Sequence, residues 1–320
     1  MLIAGPNLTI DRTLTIEELR PGEVLRFDTV AITPGGKGVN VARVARALNA
    51  APVLVGFEPG RTGAAAAQLL ADERIELRAV PCRGELRSTA VVLERSGRVT
   101  VMNEPGPPIA EADWERYEAT VAAGLEAHGV VVCSGSLPPG APEDAYGRLA
   151  ALAAGAGAAA LVDAGGPALA AALESAPDVV LPNLAEAEGL LHGRPNETVD
   201  AGDSSEVRTR AATAAAELVR RGAVTAVVTA GAGGAAVADE ASVMWHGTPR
   251  VTVRNPIGAG DSLAGGLAAA FERKEPFERA VTVGLATAAA SVETDRAGDI
   301  DPARAAQLAA AAVPPEPVEV

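Results

Sequence analysis

The chain has 320 residues, of which 48% are hydrophobic, 21% are charged and only 2% are aromatic, and its formal net charge is −14. This composition predicts a large aliphatic core and excludes global disorder. The negative charge argues against a nucleic-acid partner, because a phosphate backbone is bound through clusters of Lys and Arg.

Two stretches in the first third of the chain alternate apolar and polar side chains, and this alternation predicts strands. They cover residues of about 11–34 and 86–104, and the second contains the turn signal Ser96-Gly97 between two strands. Between them, residues 40–50 have apolar side chains at helical spacing. We expect the strands to be antiparallel, to extend one edge of the core, and to form either a lid over a cleft, a subunit contact or a plain edge hairpin.

From about residue 128 onward, short apolar runs alternate with helical segments, and after residue 260 the chain is mostly helical. Continuous apolar runs separated by helices predict a parallel sheet covered on both faces. The sequence therefore predicts one α/β domain over residues 1–320, with a small strand lid and a frayed end at 314–320. The predicted strands are 130–133, 159–162, 179–181 and 224–229, and the predicted helices between them are 143–154, 167–175, 184–192 and 205–221.

No segment of the sequence indicates export or membrane insertion. The N-terminus lacks a basic region followed by a long apolar stretch, and no apolar run reaches the roughly 18 residues of a membrane span. The two cysteines, Cys82 and Cys133, are far apart and show no metal-type spacing. We expect a cytoplasmic protein with reduced, buried thiols and no membrane partner.

The strongest local signal is the sequence NPIGAGDS at residues 255–262. Glycines at 258 and 260 let successive backbone N–H groups converge on one point at a helix N-terminus, which forms an anion site. Asp261 follows directly, and a carboxylate beside such amides suits phosphoryl transfer, because it can take the proton from an attacking hydroxyl. The alternative is that Asp261 only caps the helix.

A second signal is the sequence PGGKGVN at residues 34–40, directly before the predicted helix. Gly35 and Gly36 allow close backbone approach to a ligand, while Lys37 and Asn40 project polar groups. This is not a Walker A loop, because Gly38 stands where that motif requires Ser or Thr.

Together these two motifs resemble the ribokinase or PfkB family of sugar kinases. The opening PNLTID at 6–11, the pair Asn183 and Glu186, and the glycine turn 229–234 also resemble that family. SGSLPPG at 134–140 is similar to its branch of 1-phosphofructokinases and tagatose-6-phosphate kinases. The resemblance implies a three-layer α/β/α core with a β-strand lid, ATP and Mg²⁺ as cofactors, and a sugar phosphate as the small-molecule partner. A homodimer through the lid strands is a further expectation.

The resemblance also implies roles for individual residues. Asp261 would be the general base, and Gly258, Ala259 and Gly260 would form the anion hole. The sugar would be held by Asp11, Gly35, Gly36, Lys37 and Asn40, and its existing phosphate by Arg26, Arg87 and Ser136. The nucleotide and its magnesium ion would be contacted by Asn183, Glu186, Thr229, Gly231 and Gly234, with Glu186 acting on the metal through water. The alternatives are solvated strand charge for Arg26 and Arg87 and helix capping for Asn183.

Two departures from the family pattern keep the substrate open. Leu181 replaces the lysine that usually precedes the asparagine of the Asn183–Glu186 motif, and residues 163–166 read DAGG where the family has DTSG. The first choice is phosphorylation of fructose 1-phosphate to fructose 1,6-bisphosphate. The alternatives are tagatose 6-phosphate, fructose 6-phosphate, and a non-catalytic regulator that only binds a sugar phosphate.

Residues 260–263 also spell the GDSL signature of some esterases. That chemistry needs a histidine base, and the three histidines, His128, His192 and His246, all precede the motif. An esterase is therefore excluded.

Overall fold

The computed structural model describes residues 1–193 and 204–320, and within them the strands form a ten-stranded and a four-stranded sheet. In chain order the strands are β1 (Leu2–Ala4), β2 (Thr9–Ile16), β3 (Thr29–Gly35), β4 (Val53–Pro59), β5 (Glu76–Cys82), β6 (Arg87–Glu94), β7 (Val99–Asn103), β8 (Val130–Ser134), β9 (Ala159–Asp163), β10 (Val179–Val180), β11 (Thr225–Thr229), β12 (Gly234–Ala238), β13 (Val243–Gly247) and β14 (Glu316–Pro317).

The predicted helices are confirmed, with ends shifted by at most three residues. No helix in the described ranges has the length and apolar character that crossing a membrane requires. In chain order the helices are α1 (Lys37–Ala47), α2 (Gly60–Asp72), α3 (Glu111–Leu125), α4 (Ala145–Gly155), α5 (Gly166–Leu173), α6 (Leu184–His192), α7 (Ser204–Arg220), α8 (Ala259–Glu272), α9 (Phe277–Ser291) and α10 (Pro302–Ala310).

The large sheet has the strand order β14-β13-β12-β11-β10-β9-β8-β1-β4-β5. The strands from β5 to β11 in this order are parallel, as the apolar runs predicted, whereas β12, β13 and β14 are antiparallel. The short β1 lies between β8 and β4 and is fully buried. Both faces are therefore dry, which accounts for the absence of alternation in these strands.

Helices cover both faces of this sheet and complete the predicted three layers. One face is covered by α3 to α7, where Trp114 and Tyr117 stack with ring centroids 4.9 Å apart. The other is covered by α1, α2, α8 and α9, mainly through Ala, Val and Leu side chains. Small side chains let these helices approach the sheet closely, so the core forms with few aromatic residues.

The lid sheet is the four-stranded sheet with the order β3-β2-β6-β7. The expectation that these strands are all antiparallel and extend one edge of the core is wrong. They form a separate sheet, and β2 pairs with β6 in parallel, while β2–β3 and β6–β7 are antiparallel. The reason is that β2 follows β1 and β6 follows β5, and β1 and β5 run in the same direction within the core.

The end of the chain is also more ordered than the sequence predicted. The expectation of a frayed tail at 314–320 is wrong, because β14 pairs with β13 and the Val318 N–H donates to the carbonyl oxygen of Val243 at 2.9 Å. Glu316 forms an ion pair with Arg208 of α7 at 2.7 Å. Since main-chain pairing needs no apolar pattern, the sequence of the tail carries little signal of it.

Candidate active site

A cavity of about 460 Å³ lies at the carboxyl ends of the parallel strands, beneath the lid sheet. In an open parallel sheet this edge is the usual place for ligands, because loops and helix N-termini converge there. The walls come from the turn after β1, the inner face of the lid sheet, the ends of β8 and β10, and the starts of α1 and α8. The polar side chains that line it are Asn7, Thr9, Asp11, Lys37, Asn40, Arg87, Thr89, Asn103, Ser134, Ser136, Asn183, Glu186 and Asp261.

Helix α8 begins at this cavity with a glycine turn. Gly258 is the N-cap and has a φ of 79°, a left-handed conformation that glycine adopts without strain. Asn255 holds the turn, because its Oδ1 accepts from the Ile257 N–H at 3.0 Å and its Nδ2 donates to the Asp295 carbonyl at 3.1 Å. The first N–H groups of a helix have no acceptor within it and carry its positive end. The turn thus offers free amides along the cavity wall, and their role as an anion hole stays a prediction.

Asp261 is the third residue of α8, and only 5% of it is exposed. The alternative that Asp261 is the N-cap is wrong, since Gly258 holds that position. Its Oδ2 accepts a hydrogen bond of 2.7 Å from Asn40 Nδ2. Burial raises the pKa of Asp261 to about 7, although the charge of Lys37 and the Asn40 hydrogen bond act in the opposite direction. A carboxyl group with a pKa near neutrality suits general base chemistry.

The PGGKGVN segment forms the turn between β3 and α1. Gly36 is the N-cap of α1 with a φ of 103°, which explains the need for glycine there. At Gly35 a Cβ atom would overlap the carboxylate of Asp11, so Gly35 allows Asp11 to lie against the chain. Gly36, Lys37 and Asn40 line the cavity, whereas Gly35 lies behind Asp11 and does not.

Lys37 is the cation at the centre of this wall. Its Nζ lies 3.1 Å from Asp163 Oδ1 and 3.9 Å from Glu186 Oε1, and Asp163 also accepts from Ser134 Oγ at 3.0 Å. The charge of Asp163 raises the pKa of Lys37, burial lowers it, and Asp261 and Glu186 raise it further. Lys37 therefore keeps its charge across neutral pH and faces three carboxylates.

On the lid side, polar side chains form a row across three strands. Asp11 pairs with Thr89 and Thr89 with Asn103, so all three point to the inner face of the lid sheet. Burial raises the pKa of Asp11, while the charges of Arg43 and Arg87 lower it. The Oδ1 atom of Asp11 is buried and has no hydrogen-bond partner within residues 1–193 and 204–320. A ligand hydroxyl that donates to it would remove this cost.

Arg87 and Ser136 lie together at the lid end of the cavity. Arg87 donates to the carbonyl oxygens of Asn7 at 3.0 Å, Leu8 at 3.3 Å and Glu104 at 3.4 Å. A guanidinium group has five N–H donors, so these three bonds leave two for a ligand. Ser136 Oγ accepts from Asn7 Nδ2 at 3.0 Å. This corner can therefore bind an anion, and its assignment to a sugar phosphate stays a prediction.

The motif at the start of α6 is a capping box. Asn183 Oδ1 accepts from the Glu186 N–H and Glu186 Oε2 accepts from the Asn183 N–H, both at 2.9 Å. Helix capping by Asn183 is thus confirmed. Both side chains also line the cavity, and the second carboxylate oxygen of Glu186 points toward Lys37. Leu181 is buried beside them and supplies no charge.

Besides Gly35, four residues assigned from the sequence do not line the cavity. Arg26 is exposed in the segment between β2 and β3, so it lies neither in a lid strand nor at the site. Thr229 ends β11 and forms a bridge to Asn183, and Gly231 and Gly234 lie in the turn from β11 to the start of β12. Gly231 and Gly234 have φ values of 57° and 141°, which favour glycine. Nucleotide contacts from this turn stay a prediction.

The sequence reading missed several residues of the site. Thr89 and Asn103 lie on the same face as Asp11 only because β2 pairs with β6 and β6 with β7, and strand alternation alone does not reveal this pairing. Asp163 ends a buried strand, a position where polar side chains meet the ligand edge of a parallel sheet. Arg43 carried a weaker signal: it is three residues after Asn40, on the same helix face.

Comparisons with known proteins identify the family of the chain. The sequence pattern of the pfkB family of carbohydrate kinases matches residues 7–304. The chain is 27% identical over 295 residues to 1-phosphofructokinase of Bacillus subtilis (strain 168), covering 91% of this chain and 92% of the relative. It is 32% identical over 315 residues to 1-phosphofructokinase of Xanthomonas campestris pv. campestris, covering 96% and 95%.

The fold agrees as well. The crystal structure of phosphofructokinase-2 from Escherichia coli in complex with fructose-6-phosphate superposes with a TM-score of 0.84 at 27% identity, covering 97% of this chain and 98% of that chain. The family and the fold inferred from the sequence motifs are therefore confirmed, and the chain belongs to the pfkB family of carbohydrate kinases.

Proposed function

We propose that this kinase transfers the γ-phosphoryl group of ATP to a free hydroxyl of a sugar phosphate, and that fructose 1-phosphate is the substrate and fructose 1,6-bisphosphate the product. One observation carries the proposal: the buried carboxylate of Asp261, the amides of the α8 turn and Lys37 meet in one cavity, opposite the acceptor side chains of the lid sheet. The names of the two relatives support the choice of sugar.

The groups suit an in-line displacement. The sugar hydroxyl gives its proton to the Asp261 carboxylate while its oxygen forms the new bond to the γ-phosphorus. The bond from that phosphorus to the β-phosphate oxygen breaks, and ADP leaves with both electrons of that bond. Negative charge on the transferred group is offset by the amides at residues 258–260 and by Lys37. Asp11 and Asn40 would hold the sugar hydroxyls, since the Asp11 carboxylate accepts hydrogen bonds and the NH₂ group of Asn40 has a second N–H to donate.

Magnesium is proposed to arrive with the nucleotide. Mg²⁺ is bound in kinases through one or two carboxylates, the phosphates and several waters. Glu186 fits this mode, because one of its oxygens caps α6 and the other faces the cavity. Within the described residues no cluster of three or more His, Cys, Asp or Glu side chains is arranged to hold a metal ion, so an all-protein site does not fit. When bound, the ion would offset phosphate charge.

Arg87 is proposed to bind the phosphate already on the sugar. We expect Arg87→Ala to raise the KM for sugar phosphates by about 10- to 100-fold, because a charge-assisted hydrogen bond contributes roughly 1.5–3 kcal/mol. The KM for ATP should be unchanged. Steady-state kinetics with fructose 1-phosphate and ATP test this.

Arg83→Ala is the matched control. Arg83 is exposed in the turn between β5 and β6, four residues before Arg87, and does not line the cavity. We expect its kinetics to equal those of the wild type. If Arg87→Ala leaves the KM for fructose 1-phosphate unchanged, the assignment of Arg87 to the phosphate is wrong.

The decisive experiment for the substrate is an ADP-release assay with a panel of sugars. The panel contains fructose 1-phosphate, fructose 6-phosphate, tagatose 6-phosphate and the unphosphorylated sugars. The highest kcat/KM with fructose 1-phosphate supports the proposal, and a higher value with either 6-phosphate favours the alternative kinases. Fructose 6-phosphate has independent support, since the E. coli structure holds that sugar.

The non-catalytic alternative is a regulator that binds the sugar phosphate without turning it over. Leu181, which supplies no charge, is the observation that favours it. No ADP release with any sugar, together with retained binding of fructose 1-phosphate in calorimetry, would establish the regulator in place of the kinase.

We also propose a homodimer through the lid sheet. Val30, Ile32 and Met102 lie on its outer face and are 47%, 49% and 50% exposed. Exposed apolar strands of this kind are usually covered by a partner. Sedimentation equilibrium should give twice the mass of the chain, and the double variant Val30→Asp, Ile32→Asp should give one chain mass. A wild-type protein that is monomeric at all concentrations tested contradicts this proposal.

The cytoplasmic location expected from the sequence remains a proposal. Its support is that both cysteines, Cys82 and Cys133, are free, as in proteins of reducing compartments. Cys133 is buried as expected, whereas Cys82 is only half-buried.

A further inference from the structure

Arg43 of α1 is a buried arginine outside the cavity wall, and 4% of it is exposed. Its Nε and Nη2 atoms donate to the two carboxylate oxygens of Glu73 at 2.7 and 3.1 Å. Nη2 also donates to the carbonyl oxygen of Pro34. Nη1 donates to Asn40 Oδ1 at 2.9 Å and to the carbonyl oxygen of Ala297 at 3.4 Å. All five N–H groups of the guanidinium are therefore used.

These bonds fix the orientation of the Asn40 carboxamide. A guanidinium can only donate, so the oxygen of Asn40 must face Arg43. The amide nitrogen is then left to face Asp261, and it donates to Oδ2 at 2.7 Å. The reversed amide would set its NH₂ against the Arg43 N–H groups and its oxygen against the Asp261 carboxylate, and both contacts would be repulsive.

We propose that Arg43 is a positioning residue, which acts through Asn40 to hold Asp261 in its ionised, proton-accepting form. An NH₂ group can only donate, so it stabilises the carboxylate. Without Arg43 the amide is free to reverse, and its oxygen can then accept a hydrogen bond from protonated Asp261. Arg43 removes this second arrangement. The inference rests on the proposed role of Asp261 as the base.

Other charged groups also act on Asp261, and Arg43 is separate from them. Within the described residues these are Lys37 of α1, Asp163 at the end of β9 and Glu186 of α6. None of them is hydrogen-bonded to Arg43. The path from Arg43 to the base therefore runs through Asn40.

The test compares Arg43→Met with Arg296→Met. Arg296 also pairs with Glu73 but does not contact Asn40, so both changes remove an arginine from the same acidic partner. In Arg43→Met we expect the acidic limb of the kcat–pH profile to move up by about one pH unit. Turnover should be about tenfold lower at pH 6 and approach that of the wild type at pH 9, where ionised Asp261 itself turns the amide back. In Arg296→Met the limb should not move.

A second readout does not depend on turnover. The carboxyl ¹³C signal of Asp261, assigned by its loss in Asp261→Asn, should titrate about one pH unit higher in Arg43→Met and at the wild-type pH in Arg296→Met. Should Arg43→Met fail to fold, Arg43→Lys replaces it. Its ammonium keeps a charge beside Glu73 but cannot reach Pro34 and Asn40 as well, so the titration should move in the same direction.

The possible outcomes distinguish the positioning role of Arg43 from the role of Asp261 as the base. An unmoved titration in a folded Arg43 variant overturns the positioning role, as does an equal movement in Arg296→Met. If Asp261→Asn keeps its turnover while the titration still moves in Arg43→Met, the proposed base is wrong but the action of Arg43 on Asp261 stands.

Discussion

Asp261→Asn is expected to lower kcat by about 10²- to 10⁴-fold, the range that a positioned general base contributes. The carboxylate is buried at the start of α8 and is bonded to Asn40 Nδ2 at 2.7 Å, so it is held in place before the substrate arrives. An amide keeps the shape but cannot take the proton of the hydroxyl. Because the pKa of Asp261 is about 7, wild-type turnover should fall as the pH drops through 7, and the ADP-release assay from pH 6 to 9 measures both effects.

Unfolding of the variant must be excluded as the cause of the lower kcat of Asp261→Asn. Burial raises the pKa of Asp261, so the folded state holds this proton more tightly than the unfolded state. The resulting stability is present at low pH and is lost as the pH rises through about 7. Asn has no charge to bury, so Asp261→Asn should unfold at or above the wild-type temperature at pH 8. Asp144→Asn, the same change at the exposed N-cap position before α4, should leave kcat unchanged. A kcat for Asp261→Asn within tenfold of the wild type would falsify the assignment of the base.

Lys37→Met is expected to lower kcat at pH 7 by about 100-fold, comparable to the loss of one preorganised donor at a site of developing charge. Its ammonium group lies 3.1 Å from Asp163 and 3.9 Å from Glu186, and its charge lowers the pKa of Asp261. Without it, the pKa of Asp261 should rise above 7, so part of the lost turnover should return at pH 9. The loss that remains at pH 9 reports the missing cation at the transferred phosphoryl group. Leu181 offers no charge to replace it.

The control for this change is Arg46→Met. Arg46 lies on the same helix, carries the same charge and is exposed away from the cavity. Arg46→Met tests the general effect of removing one positive charge from an acidic protein. We expect it to leave the kcat–pH profile unchanged. If Lys37→Met and Arg46→Met behave alike, Lys37 has no specific role in turnover.

Much of the fold could be predicted from the sequence, because its signals are local. The apolar runs of β8, β9 and β11 and the helical spacing of α1 and α7 determine element type without knowledge of their neighbours. The lid sheet could be located in the same way but not paired. The parallel contact between β2 and β6 depends on where β1 and β5 lie in the core, and no residue within β2 or β6 encodes that position.

The active site was likewise only partly predictable from the sequence. Gly36 and Gly258 indicate turns with positive φ, and the position of Asp261 beside such a turn predicts phosphoryl transfer. Arg26 was assigned from the resemblance alone, and the chain carries it to the outside. Arg87 has the same residue type and reaches the cavity because β6 pairs with β2. That residues 1–320 act as one domain stays a prediction.

The sequence by itself determined the alternation of strands and helices from about residue 128 onward, the two glycine turns and the family, since each depends on residues that are neighbours along the chain. Only the tertiary structure determined the pKa of Asp261. The hydrogen bond from Asn40 to Asp261 joins residues that are 221 positions apart in the sequence. Arg43 donates hydrogen bonds to Glu73 and to the carbonyl oxygen of Ala297, which belong to two other segments of the chain. The pKa of a carboxyl group depends on its burial and on charges a few ångströms away, and only the packed chain brings these together.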